Sequence, residues 1–305
     1  MQIEDFSYIS TMKQHIADIT SNQHLPESSD HALRAFECSL LAADAYHPGE
    51  ISPLPQWELL GEGDVGGKVL FFDKASNLKS ALYRRIGRDS TQLYVYSLAG
   101  TELLSVSDWL TSARQITAGG GPQYDLAVRN AEAIMRHCST LPCSRLIFTG
   151  HSMGGGLAAA CAMRTGCDAY TFNATGLSRA TVRKLALNKP SRIHAHIVKG
   201  EIVDFFQRMA GLRANGDRIM LRRRDAIWPP PAGSATEKIA EWERAECFSL
   251  ADRLTPQFAS GLITPKRKKR IGDYINDNLW WIAHGIKLHL MSTTVGILEA
   301  SCKDV

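Results

Sequence analysis

The sharpest chemical signal in this 305-residue chain is the run Gly150-His151-Ser152-Met153-Gly154. A serine hydroxyl becomes a useful nucleophile only when a neighbouring base takes its proton, and it must stand clear of the fold to meet an acyl carbon. The Gly-x-Ser-x-Gly spacing meets the second need: a strained turn from strand to helix lifts the serine out, and the flanking glycines leave room for the backbone to double back. The pattern alone recurs by chance in many chains as a tight turn. Here its surroundings count, because the apolar Leu146-Ile147-Phe148 enters it and Gly154-Gly155-Gly156 leads out into an alanine-rich run. Ser152 is therefore the expected nucleophile of an acyl transfer. The amide of Met153, at the start of the following helix, is the first expected donor to a developing oxyanion.

Such a serine needs a sheet edge to stand on. Residues 70–73, 78–85 and 93–98 read as strands, with Gly87-Arg88-Asp89-Ser90 as a turn between the last two, and 146–148, 169–172 and 193–198 supply three more. Tyr124, Ala127, Ala131, Ile134, Met135 and Cys138 recur at helical spacing and predict a helix over 123–138, with others over 154–164 and 179–187. Earlier, Leu33, Phe36, Leu40 and Leu41 trace a helix that Ser29 or Asp30 would cap and that would end near His47-Pro48-Gly49. This alternation predicts the α/β class, a mainly parallel sheet with helices on both faces. The expected organisation is one domain over 1–305, with an N-terminal helical region of about 1–60. A lid-like insertion over about 205–281 breaks the rhythm, carries Trp228-Pro229-Pro230-Pro231, and is expected to lie over the carboxyl edge of the sheet.

Composition bounds the partners. With 44% hydrophobic and 22% charged residues the chain can build a sizeable core. A net charge of +4 is too small to argue for nucleic acid across the surface, although Arg222-Arg223-Arg224 and Lys266-Arg267-Lys268-Lys269-Arg270 concentrate positive charge late in the chain. Such runs are commonly solvated faces, and they also suit anionic phospholipid headgroups. The seven cysteines show no zinc-ligand or redox spacing, which favours small buried thiols in a reducing compartment. Residues 1–18 mix charged and apolar types without a signal-peptide pattern, and no apolar run is long enough to span a bilayer, so the default expectation is a soluble cytoplasmic protein. No metal or other cofactor is called for.

Further motifs carry a family resemblance. Leu93-Tyr94-Val95-Tyr96-Ser97-Leu98-Ala99-Gly100-Thr101, followed by Asp108-Trp109-Leu110, resembles the class 3 lipase pattern of a strand ending in Arg-Gly-Thr or Arg-Gly-Ser and then Asp-Trp. The stretch from Gly150 to Gly156, with Thr171-Phe172-Asn173-Ala174-Thr175-Gly176-Leu177, is similar to a bacterial branch of that family that includes phospholipase-like effectors of contact-dependent secretion systems. The likeness covers roughly residues 30–210 and a short C-terminal piece. It departs at Ala99, where the family carries Arg. The resemblance implies an α/β-hydrolase, and it assigns the second oxyanion donor to Thr101.

In that fold the triad runs Ser, acid, His along the chain. Glu201, in Gly200-Glu201-Ile202-Val203-Asp204 after the 193–198 strand, stands where the family places its carboxylate; Asp204, one helical turn on, is the alternate and the better candidate for a helix-capping loop carboxylate. Asp168 precedes a strand and lies at the wrong edge. Beyond the acid the histidines are His284 and His289. The latter, in Ile286-Lys287-Leu288-His289-Leu290-Met291, resembles the family's C-terminal His at the start of a final helix. His151 is expected to pack or shape the pocket, and His194 and His196, alternating on a strand, to be structural. The expected reaction is lipid-ester hydrolysis of the phospholipase A type through an acyl-enzyme on Ser152, at a membrane surface that Trp228, Leu279, Trp280 and Trp281 would suit. A soluble carboxylesterase, a thioesterase, a peptidase or a non-catalytic binding relative are the competing readings. For an effector the resemblance implies export without a signal peptide, with a secretion-system or immunity protein as partner.

Overall fold

Side chains on the strands divide cleanly between two faces, as the period of two requires. The computed structural model describes residues 27–50, 56–67, 69–87, 90–100, 121–209, 211–222, 239–240 and 293–298. Helix α1 (Glu27–Asp44) is followed by the short strands β1 (Glu58–Leu60) and β2 (Phe72–Asp73), then by β3 (Leu78–Ile86) and β4 (Gln92–Leu98). After these come α2 (Pro122–Ser139), β5 (Ser144–His151), α3 (Met153–Thr165), β6 (Asp168–Phe172), α4 (Arg179–Lys184), β7 (Ile193–Val198), α5 (Ile202–Met209) and β8 (Asp217–Leu221). On β4 and β5, Tyr94, Tyr96, Leu98, Leu146 and Phe148 pack with Ala127, Ala131 and Ile134 of α2 and Leu157 and Ala158 of α3. The intervening Val95 and Ile147, with Tyr170 and Phe172 of β6, pack against Phe36, Leu40 and Leu41 of α1 on the opposite face. Each fully buried large side chain contributes roughly 1.5–3 kcal/mol.

The strands lie in the order β1-β3-β4-β5-β6-β7-β8, with β2 paired to β3 off that path. The pairs β1–β3, β2–β3 and β3–β4 are antiparallel, and every pair from β4 to β8 is parallel. The α/β class and the mainly parallel sheet are as the sequence predicts. Three differences bear on the reading. α1 begins at Glu27, so Ser29 and Asp30 fall inside it rather than capping its start. β1 was not foreseen, because three residues carry too little alternation to register. The stretch that reads as an insertion from 205 contains the end of α5 and all of β8, whose residues pair in register with β7 from His194 to Val198. The break in rhythm thus falls after Leu221. Most of 223–281, with the expected lid and its tryptophans, lies outside the described residues, as do residues 1–26.

Polar groups within the sheet seat α1: Ser97 Oγ donates to Leu41 O at 2.9 Å, and the Thr149 hydroxyl shares its proton between Tyr170 O at 2.9 Å and Cys38 O at 3.1 Å. A buried hydroxyl left unpaired is costly, so these bonds help hold α1 at a fixed height over β4 and β5. The described cysteines are free thiols; burial pushes Cys38 and Cys138 up to about 12, which leaves them inert.

Where α1 crosses β6 and β7, three histidines gather. His31 Nε2 lies 3.0 Å from His194 Nδ1, and the His196 ring stacks on Phe172 and Tyr170. Burial first, then the neighbouring His31 and His194, push His196 down to about 3. The unfolded chain takes up a proton there near pH 6.5, which the folded chain does not until about pH 3. Stability is therefore undiminished above about pH 6.5 and falls as pH drops toward 3, by on the order of 4 kcal/mol from this residue. The melting temperature of His196→Phe is accordingly expected to fall less between pH 7 and pH 4 than that of the parent, and equal falls would contradict this.

Candidate active site

β5 runs straight into the serine turn. Ser152 has φ 57° and ψ −124°, a left-handed conformation strained for a residue with a side chain, and it forms the N-cap of α3. The strain is held from three sides: Ser152 N–H donates to Phe172 O at 3.0 Å, and Ser152 O accepts from Thr175 N–H at 3.1 Å and Gly156 N–H at 3.3 Å. The glycines are required by close approach. A methyl on Gly154 would stand 2.1 Å from Leu98 O, and one on Gly150 would stand 2.4 Å from Gly154 O. The buried stretch from Gly154 to Ala162, Gly or Ala at every position but Leu157 and Cys161, lets α3 lie tightly against β5 and β6.

The end of β4 meets this turn. A methyl on Gly100 would lie 3.2 Å from Ser152 Cβ, 2.8 Å from His151 O and 2.6 Å from the Tyr46 hydroxyl. Ala99, which departs from the Arg of the class 3 lipase pattern that this strand resembles, is buried with Ala45 and Tyr46. Thr101 lies outside the described residues. His151 is buried, with Nδ1 3.1 Å from the Tyr46 hydroxyl, an anchoring contact across 105 positions of chain that nothing in the sequence announces.

Two strands away on the same edge, β7 turns through Gly200 into Glu201, which is 1% exposed. Its Oε2 accepts the Val203 N–H at 2.7 Å and its Oε1 accepts the Asp204 N–H, so Glu201 is the carboxylate that caps α5. The sequence favoured Asp204 for that task. Asp204 is instead gripped by two guanidiniums, Arg218 at 2.8 Å on Oδ1 and Arg208 at 3.2 Å on Oδ2. Asp168 sits at the opposite edge, paired with Arg145. His194 and His196 are held in the α1 face as described. His284 and His289 lie outside the described residues.

Helix 293–298 is described, and it reaches this edge. Asn173, directly after β6, donates from Nδ2 to Thr294 Oγ1 at 3.2 Å. Among the described residues no group of three or more His, Cys, Asp or Glu side chains is arranged to hold a metal ion. Nor is any helix among them long and apolar enough to cross a membrane.

A mainly parallel sheet with a strained serine at its carboxyl edge, directly before a helix packed on that sheet, defines an α/β-hydrolase. Residues 37–230 match the family described as Phospholipase-like, Tle-like phospholipase domain, and the chain belongs to that family. It is 33% identical over 175 residues to the extracellular phospholipase A1 of Serratia liquefaciens, a match covering 56% of this chain and 49% of that protein. The chain thus spans about half the length of the curated relative it matches. Solved structures similar to it include the triacylglyceride lipase of Rhizomucor miehei, 14% identical with a TM-score of 0.45, covering 65% of this chain and 82% of that one. A lipase from Rhizopus microsporus var. chinensis is 16% identical with a TM-score of 0.44, covering 69% and 78%.

Proposed function

We propose that the chain is a serine esterase of phospholipase A type that hydrolyses acyl esters of membrane lipids. Ser152 attacks the ester carbonyl while His289 takes its proton, and Glu201 fixes the ring of that histidine. The amides of Met153 and Thr101 receive the oxyanion. Collapse of the tetrahedral adduct expels the lyso-lipid alkoxide, which takes the proton back from His289, and water then hydrolyses the acyl-serine by the same route. No metal enters this chemistry.

The observation that carries the reading is the left-handed Ser152 at the start of α3, strain of a kind that persists where function requires it. Thr101 is supported as a donor by the position of Gly100 against Ser152. His289 is favoured over His284 by the motif that surrounds it. It lies in Ile286-Lys287-Leu288-His289-Leu290-Met291, which resembles the family's C-terminal histidine motif, and a five-residue tether keeps it within roughly 17 Å of Thr294. Glu201 is supported by its burial at the end of β7, while the charge of Asp204 is already committed to two arginines. The relative's description as a phospholipase A1 supports a phospholipid substrate. Export as an effector countered by an immunity protein, the finer reading, rests on the resemblance of the motifs to that branch.

Vesicles of phosphatidylglycerol and phosphatidylethanolamine incubated with the protein test this directly. Equimolar free fatty acid and lysophospholipid are expected, with neither formed by Ser152→Ala. Cleavage of a soluble short-chain ester with vesicles left intact would replace the phospholipase with a soluble carboxylesterase.

A further inference from the structure

Asn173 ties together three parts of the carboxyl edge. It is fully buried and holds a left-handed backbone at φ 45°, a conformation asparagine adopts more readily than most residues. Its N–H donates to His196 O at 2.8 Å, and its Oδ1 accepts the Val198 N–H at 2.9 Å, which binds it to the last turn of the strand that leads into Glu201. Its Nδ2 donates to Thr294 Oγ1 at 3.2 Å, across 121 positions of chain. Thr294 is itself fully buried, in a helix whose Val295, Ile297 and Leu298 pack in the core. The residue before Asn173, Phe172, accepts the Ser152 N–H, and Thr175, two positions on, donates to Ser152 O.

We infer that Asn173 is a positioning residue that, through Thr294, holds helix 293–298, which follows His289 in the chain, and, through Val198, holds the strand end bearing the acid, both in register with the nucleophile. This rests on the assignment of Ser152, Glu201 and His289 above. The three belong to segments far apart in sequence, and proton transfer tolerates little displacement; a shift of about 1 Å can cost on the order of a hundredfold in rate. An amide suits the task because it offers an acceptor to one segment and a donor to another. An apolar side chain would bond to neither.

The test is the rate of phospholipid hydrolysis per active site titrated with a fluorophosphonate, in the full chain. Thr294→Val, which keeps the shape and removes the hydroxyl, is expected to lower the per-site kcat by about tenfold or more at unchanged KM, with Thr294→Ser close to the parent. A residue that merely stabilises the fold would reduce the number of titratable sites and leave the per-site rate alone. That result, or equal losses in the Val and Ser variants, would overturn the inference. Should Thr294→Val not fold, Asn173→Gly, which accepts the left-handed backbone, is read in the same way. Failure of the parent protein to react with the fluorophosphonate would overturn the assignment of Ser152 itself, an outcome separate from a parent that reacts and a Thr294→Val variant that matches it site for site.

Discussion

Ser152→Ala is expected to lower turnover of phospholipid by several orders of magnitude, roughly a millionfold if this serine behaves as nucleophiles of its class do. The fold should not register the change. Alanine keeps the Cβ, so the backbone strain at φ 57° is the same in both proteins, and the bonds that hold the turn use only the main chain of residue 152. Melting temperature and near-ultraviolet circular dichroism are accordingly expected to match those of the parent. Retention of more than a few per cent of the activity by a folded Ser152→Ala protein would remove Ser152 from the mechanism.

The second large effect separates the two acid candidates. In Glu201→Gln one carboxylate oxygen becomes an NH2 group that meets a backbone N–H, so one of the two capping bonds to α5 is lost, at a cost of about 1 kcal/mol. The catalytic cost is far greater. Without the negative charge the histidine loses its preferred tautomer and the support for its protonated form, and a fall in kcat of about a thousand- to ten-thousandfold is expected. Asp204→Asn shows the opposite profile. It leaves Arg218 and Arg208 facing a neutral amide and is expected to lower stability by roughly 1–3 kcal/mol, moderated because the Arg208 side chain is half exposed. Its turnover per folded molecule should stay within about tenfold of the parent. The reverse pattern, a crippled Asp204→Asn and an active Glu201→Gln, would transfer the acid role to Asp204.

What could be read from the chain depended on how local each cause was. The serine turn is local: an apolar strand, glycines wherever backbones meet within van der Waals distance, and a small-residue helix all lie within about twenty consecutive positions. The strands and helices from residue 78 to 198 follow from periodicity in the same way. Glu201 and Asp204 look alike in sequence, and what distinguishes them is non-local in part. The N–H groups of α5 claim Glu201, whereas one of the two arginines that claim Asp204 comes from β8, fourteen residues on. β8 was missed because its pattern of exposure, with Leu221 alone well buried, resembles an edge that a basic run then continues. The Tyr46–His151 and Asn173–Thr294 contacts span more than a hundred residues each, and no spacing rule reaches across such distances.

The central claim is that Ser152 is an activated nucleophile, and the measurement nearest to it is intact mass after treatment with a fluorophosphonate, followed by peptide mapping. One phosphonyl group per chain is predicted, on the peptide that contains Ser152, with none on the folded Ser152→Ala protein. An adduct on any other residue, or an unmodified Ser152 in a preparation that hydrolyses phospholipid, would contradict the account.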